Sequence, residues 1–278
     1  MNAFWCNGQW LEGAEFPVLP LDRGMVLGLS VFETLLGLNG RAVFVERHLA
    51  RLAVACERLG WVPPQADFGD LAAVMADGLQ RVHGATGRAR IRLTVTAGSG
   101  PFTDLTAGQD RRVWLLVSPA EPAPETMAVT ISPWPRNERG ALAGLKCASY
   151  AENLVALDSA RRGGFDETLF FNTSDELCEA ATANVFLVKN GVLLTPPLTA
   201  GCLAGVTREG VLGLARQAGI ATDEATLKMA DLAAADEVFL TSATRGPVPV
   251  SRVNQRQLPA APIGNKLRAL WQESVARD

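Results

Sequence analysis

Apolar and polar positions recur along this chain with two spacings, and the change from one to the other marks its elements. Phe4-Trp5-Cys6 and Gln9-Trp10-Leu11 flank Asn7-Gly8, the dipeptide favoured in a two-residue hairpin turn. Over 46–59, apolar residues fall at 49, 52, 53, 56 and 59, the spacing of an amphipathic helix that Gly60 ends. A second helix is expected over 71–82. Residues 90–96 alternate and predict a strand, followed by the loop Gly98-Ser99-Gly100, and 113–117 predicts a short apolar strand.

The stretch 118–125 carries three prolines within six residues and predicts a linker. With the linker at 119–126, an N-terminal domain covers 1–118 and a C-terminal domain covers 127–278. In the second domain, strands are expected at 127–131, 167–171 and 237–241. Helices are expected at 152–162, 207–218 and 263–276, the first two closed by Gly163-Gly164 and Gly219. Residues 185–188 and 192–194 flank Lys189-Asn190-Gly191, a second hairpin. The mixture, without internal repeat or low-complexity tract, predicts an α+β fold of two domains, each with its own core.

Composition narrows the function classes. A net charge of -3, with arginines spread along the chain, gives no basic face for nucleic acid. No apolar run reaches about 18 residues, so no membrane span is expected. The opening Met1 to Gly8 lacks a basic stretch leading into an apolar one, so no signal peptide is expected. Five cysteines, widely spaced and without a CxxC, fit reduced thiols in the cytoplasm. The two histidines, His48 and His83, have no metal-ligand neighbours at useful spacing. No metal site and no Ser-His-Asp triad are expected, and His48 is read as structural.

Lysine is scarce: Lys146, Lys189, Lys228 and Lys266, beside a single tyrosine, Tyr150. Lys189 in a hairpin turn and Lys266 on the terminal helix are most simply solvated, and Lys228 is ambiguous. Lys146 lies among small and apolar residues just before a helix, where desolvation would lower its pKa and make it nucleophilic. A lysine snorkelling from a loop is the plainer alternative. Downstream, Glu179 stands in Leu177-Cys178-Glu179-Ala180-Ala181-Thr182-Ala183-Asn184. It could face a protonated ring nitrogen or be a solvated turn residue. Residues 201–208 lead into a helix whose free N–H groups suit a phosphate, unless Thr207 simply caps it. Amine, carboxylate and phosphate cradle together are what a pyridoxal-phosphate site requires.

The order of motifs resembles the fold-type IV pyridoxal-phosphate enzymes: the branched-chain and D-amino-acid aminotransferases and 4-amino-4-deoxychorismate lyase. The motifs are Asp22-Arg23-Gly24, 28–35, 46–52, Leu145-Lys146, 179–184, Gly205-Val206-Thr207-Arg208 and 236–242. The resemblance implies two α/β domains with the cofactor between them, in a homodimer. It makes Lys146 the Schiff-base lysine and Glu179 the carboxylate on the pyridine nitrogen. Arg51, Val206 and Thr207 would hold the phosphate, with Ser242 and Ala243 assisting, and Tyr150 would meet the phenolic oxygen.

Within the family, the loop 98–104 lacks the Arg-x-His carboxylate trap of the D-amino-acid enzymes. Arg90-Ile91-Arg92 keeps the arginine of the branched-chain Tyr-x-Arg but not the tyrosine, and Thr34 stands where those enzymes have glycine. The run Phe32-Glu33-Thr34 and the Gly-Ser-Gly loop look most like aminodeoxychorismate lyase. Arg92 and Thr34 are then candidate substrate contacts, although Arg92 could equally be a strand-face arginine in solvent. The expected reaction converts 4-amino-4-deoxychorismate to 4-aminobenzoate and pyruvate, with Lys146 as general base. An aminotransferase would use the same cofactor residues.

Overall fold

A computed structural model describes residues 2–12, 19–83, 87–108 and 110–278, and of His83 the backbone alone. The chain forms two compact units. One is Met1–Pro122 with Leu145–Tyr150; the other is Ala123–Gly144 with Ala151–Asp278.

The first unit contains β1 (Ala3–Cys6), β2 (Gln9–Leu11), α1 (Arg23–Val26), β3 (Ser30–Leu38), β4 (Arg41–Ala42) and α2 (Val45–Arg58). These are followed by α3 (Gln65–Phe68), α4 (Leu71–His83), β5 (Arg88–Thr96) and β6 (Val113–Pro119). Its six-stranded sheet runs β2-β1-β6-β5-β3-β4. Pairing puts Val31 against Val95, Glu33 against Leu93 and Leu35 against Ile91. Those apolar side chains form one face, covered by Leu52 and Cys56 of α2 and by Leu71, Met75 and Leu79 of α4. Because strand side chains alternate, Phe32, Thr34, Arg92 and Thr94 lie on the opposite face.

The second unit contains β7 (Met127–Ile131), α5 (Ala151–Arg162), β8 (Glu167–Phe171), β9 (Leu177–Ala180), β10 (Asn184–Lys189), β11 (Val192–Thr195) and α6 (Val206–Gln217). Then come β12 (Thr222–Glu224), α7 (Met229–Ala233), β13 (Glu237–Ser242), β14 (Gly246–Val253), β15 (Arg256–Gln257) and α8 (Pro262–Arg277). Its sheet runs β12-β11-β10-β13-β14-β7-β8-β9, with β15 paired to β14. Val185, Leu187, Val238, Leu240, Val248 and Val250 build one face of the core. Phe186 and Phe239 stack on the other at 4.9 Å. Among the described residues, no helix is long and apolar enough to cross a membrane.

The expected α+β architecture is observed, and the Asn-Gly signals work as expected. Asn7-Gly8 and Asn190-Gly191 have positive φ at both residues, as the tight primed turn requires. A third such pair, Asn39-Gly40, joins β3 to β4. Three expectations need correcting. Lys146, expected in the C-terminal domain, stands on a segment that packs with the first unit. That segment adds to the edge of β3: Phe32 N–H donates to the Lys146 carbonyl at 2.9 Å and Ala148 N–H to the Ser30 carbonyl at 2.8 Å. Lys189 is not simply solvated, since its Nζ lies 3.2 Å from Asp231 Oδ1. Thr207 does not cap α6; Gly205 does, and Thr207 is buried in the first turn.

Candidate functional site

In the first unit, backbone pairing determines which side chains meet. Phe32 lies across from Lys146, so the lysine side chain emerges beside the Phe32 ring, with Nζ 4.6 Å from its centroid. Arg92 is in register with Thr34 on the neighbouring strand, and its Cζ lies 3.7 Å from the same centroid. Tyr150 meets that ring edge-on at 5.7 Å, and Lys146 Nζ is 6.0 Å from the Tyr150 ring. Lys146, Arg92, Tyr150 and Thr34 are thus gathered on one sheet face around a buried phenylalanine that gives both cations an apolar, electron-rich surface. Arg92 is therefore not the solvent-facing strand arginine considered above. Burial lowers its pKa from the ordinary arginine value.

Arg51 belongs to a different cluster. It extends from α2 to Glu33, whose side chain points to the core face. Arg51 Nε and Nη2 donate to the two carboxylate oxygens, both at 2.7 Å. His48 Nδ1 lies 2.7 Å from Glu33 Oε2. Burial pushes the Glu33 carboxyl up, but the Arg51 charge and the hydrogen bonds from His48 and Arg51 outweigh it and bring it to about 2. An ionised carboxylate only accepts, so Nδ1 carries the imidazole hydrogen. Burial lowers the His48 pKa against the pull of Glu33, which keeps the ring neutral. The structural role expected for His48 is to complete this buried clamp.

In the second unit, Glu179 is the penultimate residue of β9, with its carboxylate largely buried. Its Oε2 accepts from Leu203 N–H at 3.0 Å, and Arg136 Nη2 lies 3.8 Å from Oε1. The Leu203 carbonyl in turn accepts from Asn184 Nδ2 at 2.8 Å. The loop entering α6 is therefore bound to the Glu179 segment and to Asn184 through the backbone of a single residue, Leu203. Gly205 follows, and a Cβ there would overlap Asn184 Oδ1. The N-terminus of α6 has no side-chain cap, so the first-turn amides of Val206 and Thr207 are available to an anion. Ser242 and Ala243, both half-buried, stand at the end of β13 and in the turn to β14.

Each unit carries groups of the kind pyridoxal phosphate requires. The first has an amine on an apolar ring; the second has a buried carboxylate for a protonated nitrogen and an uncapped helix start for a phosphate. Arg136 supports the fit: its buried Nε and Nη2 have no hydrogen-bond partner, and its guanidinium lies beside the Glu179 carboxylate. Reasoning from sequence did not assign roles to Phe32, Glu33, Asn184 or Arg136. Glu33 carried a usable signal, because an acidic residue inside the run Val31 to Leu38 is buried only if it is paired.

The amino-transferase class IV family model matches residues 30–253. The branched-chain-amino-acid aminotransferase of Escherichia coli K12 is 27% identical over 96% of this chain and 90% of its own. A bifunctional aminodeoxychorismate lyase and D-amino acid transaminase of Mycobacterium tuberculosis is 28% identical over 94% of this chain and 96% of its own. Among solved structures, an aminotransferase from Brucella abortus bound to the cofactor PLP superposes with a TM-score of 0.90. It is 27% identical and covers 99% of both chains. Sheet order, pairing of the lysine segment and family match agree: the chain has the fold-type IV architecture and belongs to the class IV aminotransferases.

Proposed function

We propose that this family member is a pyridoxal-phosphate-dependent 4-amino-4-deoxychorismate lyase, producing 4-aminobenzoate and pyruvate. The observation that carries the proposal is the placement of Lys146 and Arg92 on one aromatic ring, a reactive amine beside a fixed cation. The substrate has two carboxylates, and Arg92 meets one while Lys146 works at the carbon bearing nitrogen. The loop at 98–104 adds no arginine or histidine to take a second small carboxylate in the manner of a D-amino-acid trap.

Bound pyridoxal phosphate supplies an electron sink for the carbon that loses its proton. With the cofactor bound, Lys146 would hold it through its amine, and the same amine would take that proton. Glu179 would keep a proton on the pyridine nitrogen, with Arg136 standing beside its carboxylate. Arg51, oriented by Glu33, would bind the phosphate, as would Val206, Thr207, Ser242 and Ala243. Tyr150 would meet the phenolic oxygen, and Thr34 would shape the substrate side. The protein is placed in the cytoplasm, which its five unpaired thiols support, and acts as a homodimer.

The second reading is an aminotransferase for branched-chain substrates, favoured by the similarity to the E. coli enzyme. Purified protein is offered 4-amino-4-deoxychorismate and, separately, branched-chain L-amino acids with 2-oxoglutarate. Formation of 4-aminobenzoate supports the lyase. Glutamate formation without 4-aminobenzoate would overturn it in favour of the transaminase.

A further inference from the structure

Arg245 has no part in the roles assigned so far, yet its guanidinium connects two loops of the second unit. Nε donates to Ser242 Oγ at 3.0 Å. Nη2 donates to Thr182 Oγ1 at 2.8 Å and lies 3.6 Å from Glu167 Oε2, while Nη1 faces Met127 Sδ at 3.6 Å. Glu167 is fully buried, accepts the Thr182 hydroxyl, and also accepts Thr168 N–H at 3.1 Å.

These bonds have a direction. The Thr182 hydroxyl accepts from Arg245 and donates to Glu167, so both of its capacities are used. The Ser242 hydroxyl accepts from Arg245, and among the described residues no acceptor takes its hydrogen. A bond accepted from a cation polarises the O–H and strengthens it as a donor. It also fixes a side chain that otherwise moves among three rotamers. All three guanidinium nitrogens already have neighbours, and Glu167 balances the charge. The arginine is therefore built into the protein rather than offered to a ligand.

We propose that Arg245, anchored on Thr182 and Glu167, is a positioning residue that presents the Ser242 hydroxyl to the cofactor phosphate. The proposal rests on the pyridoxal-phosphate assignment above. It makes the 242–245 turn a preset arm of the phosphate site, oriented before any ligand arrives.

The test compares pyridoxal phosphate with pyridoxal, which has the same aldehyde and ring but no phosphate, by titration into cofactor-stripped protein. Ser242→Ala and Arg245→Met should each weaken pyridoxal phosphate about tenfold, the loss of one hydrogen bond to a charged group. The double variant should lose no more than either single one, and pyridoxal should bind all variants alike. Arg245→Lys keeps a charge for Glu167 but cannot span Ser242 and Thr182. It should show the same loss, and it serves if the methionine variant does not fold. Additive losses would mean that Arg245 binds the phosphate itself. Equal losses for pyridoxal and its phosphate would mean a purely structural role. Wild-type affinity in Arg245→Lys would mean no role; each of these three results overturns the proposal. If wild-type protein binds no pyridoxal phosphate, the cofactor assignment fails, and the proposal with it.

Discussion

At Glu33, one carboxylate interrupts a sheet face otherwise built from valine, leucine and isoleucine, and α2 supplies both partners it needs. Removing its charge strands Arg51 over that face. Glu33→Gln should cost on the order of 3 kcal/mol, measured as a lower urea midpoint at neutral pH. The acid limb carries a second signature. The folded carboxyl titrates near 2 and the free group near 4.5. Its contribution is therefore complete above the free value and is lost as pH falls from there towards the folded one. The variant should lose less stability than wild type between about pH 5 and pH 3; equal losses would show that Glu33 is not held ionised. At the reacting face, Lys146→Ala should abolish turnover and the visible absorption of lysine-bound cofactor. Arg92→Gln should raise KM for a carboxylate substrate about tenfold or more with a smaller change in kcat. An unchanged KM would remove Arg92 from substrate binding.

Among the elements, the entrance to α6 is the most exposed to a small change. The φ of Gly205 is ordinary, so alanine there meets a steric obstacle rather than a conformational one. Gly205→Ala should push Asn184 off the Leu203 carbonyl and lower stability by about 1–3 kcal/mol, with weaker cofactor binding. Adding Asn184→Ala should relieve the crowding, and thermal melts of the single and double variants test this. The same region shows what was legible beforehand. The helix start, the glutamate and the glycine could be read from residue types and spacing. The Asn184–Leu203–Glu179 connection could not, because it joins residues distant in sequence through the backbone of one residue. Strand β3 was missed because its sequence mixes Gly37, Thr34 and Glu33 into an apolar run. Strand β14 was missed because Pro247 and Pro249 argue against a ladder position. Both prolines precede Val250, where pairing with β7 begins, so that edge needs no N–H from them. Phe32 falls within a motif, but nothing in the linear order indicates that two cations share its ring.

For the whole molecule, the proposed homodimer has a simple check. Leu21, Met25, Val26 and Leu27 lie close together in sequence and are each about half exposed or more. An apolar run of this kind in solvent is unusual for a monomer. Light scattering should give twice the chain mass, and Met25→Glu with Val26→Glu should reduce it to one chain. A single-chain mass for wild type would rule the dimer out. The lysine segment has a further consequence, one of timing. Residues 145–150 pair with β3, yet the chain on either side of them belongs to the other unit. During synthesis the first unit emerges with the Phe32 amide and Ser30 carbonyl unpaired, an open strand edge of the kind that recruits other chains. The strand that closes it emerges only after the first stretch of the second unit. A fragment cut at Pro122 should therefore associate through that edge, and a synthetic peptide spanning 145–150 should suppress the association.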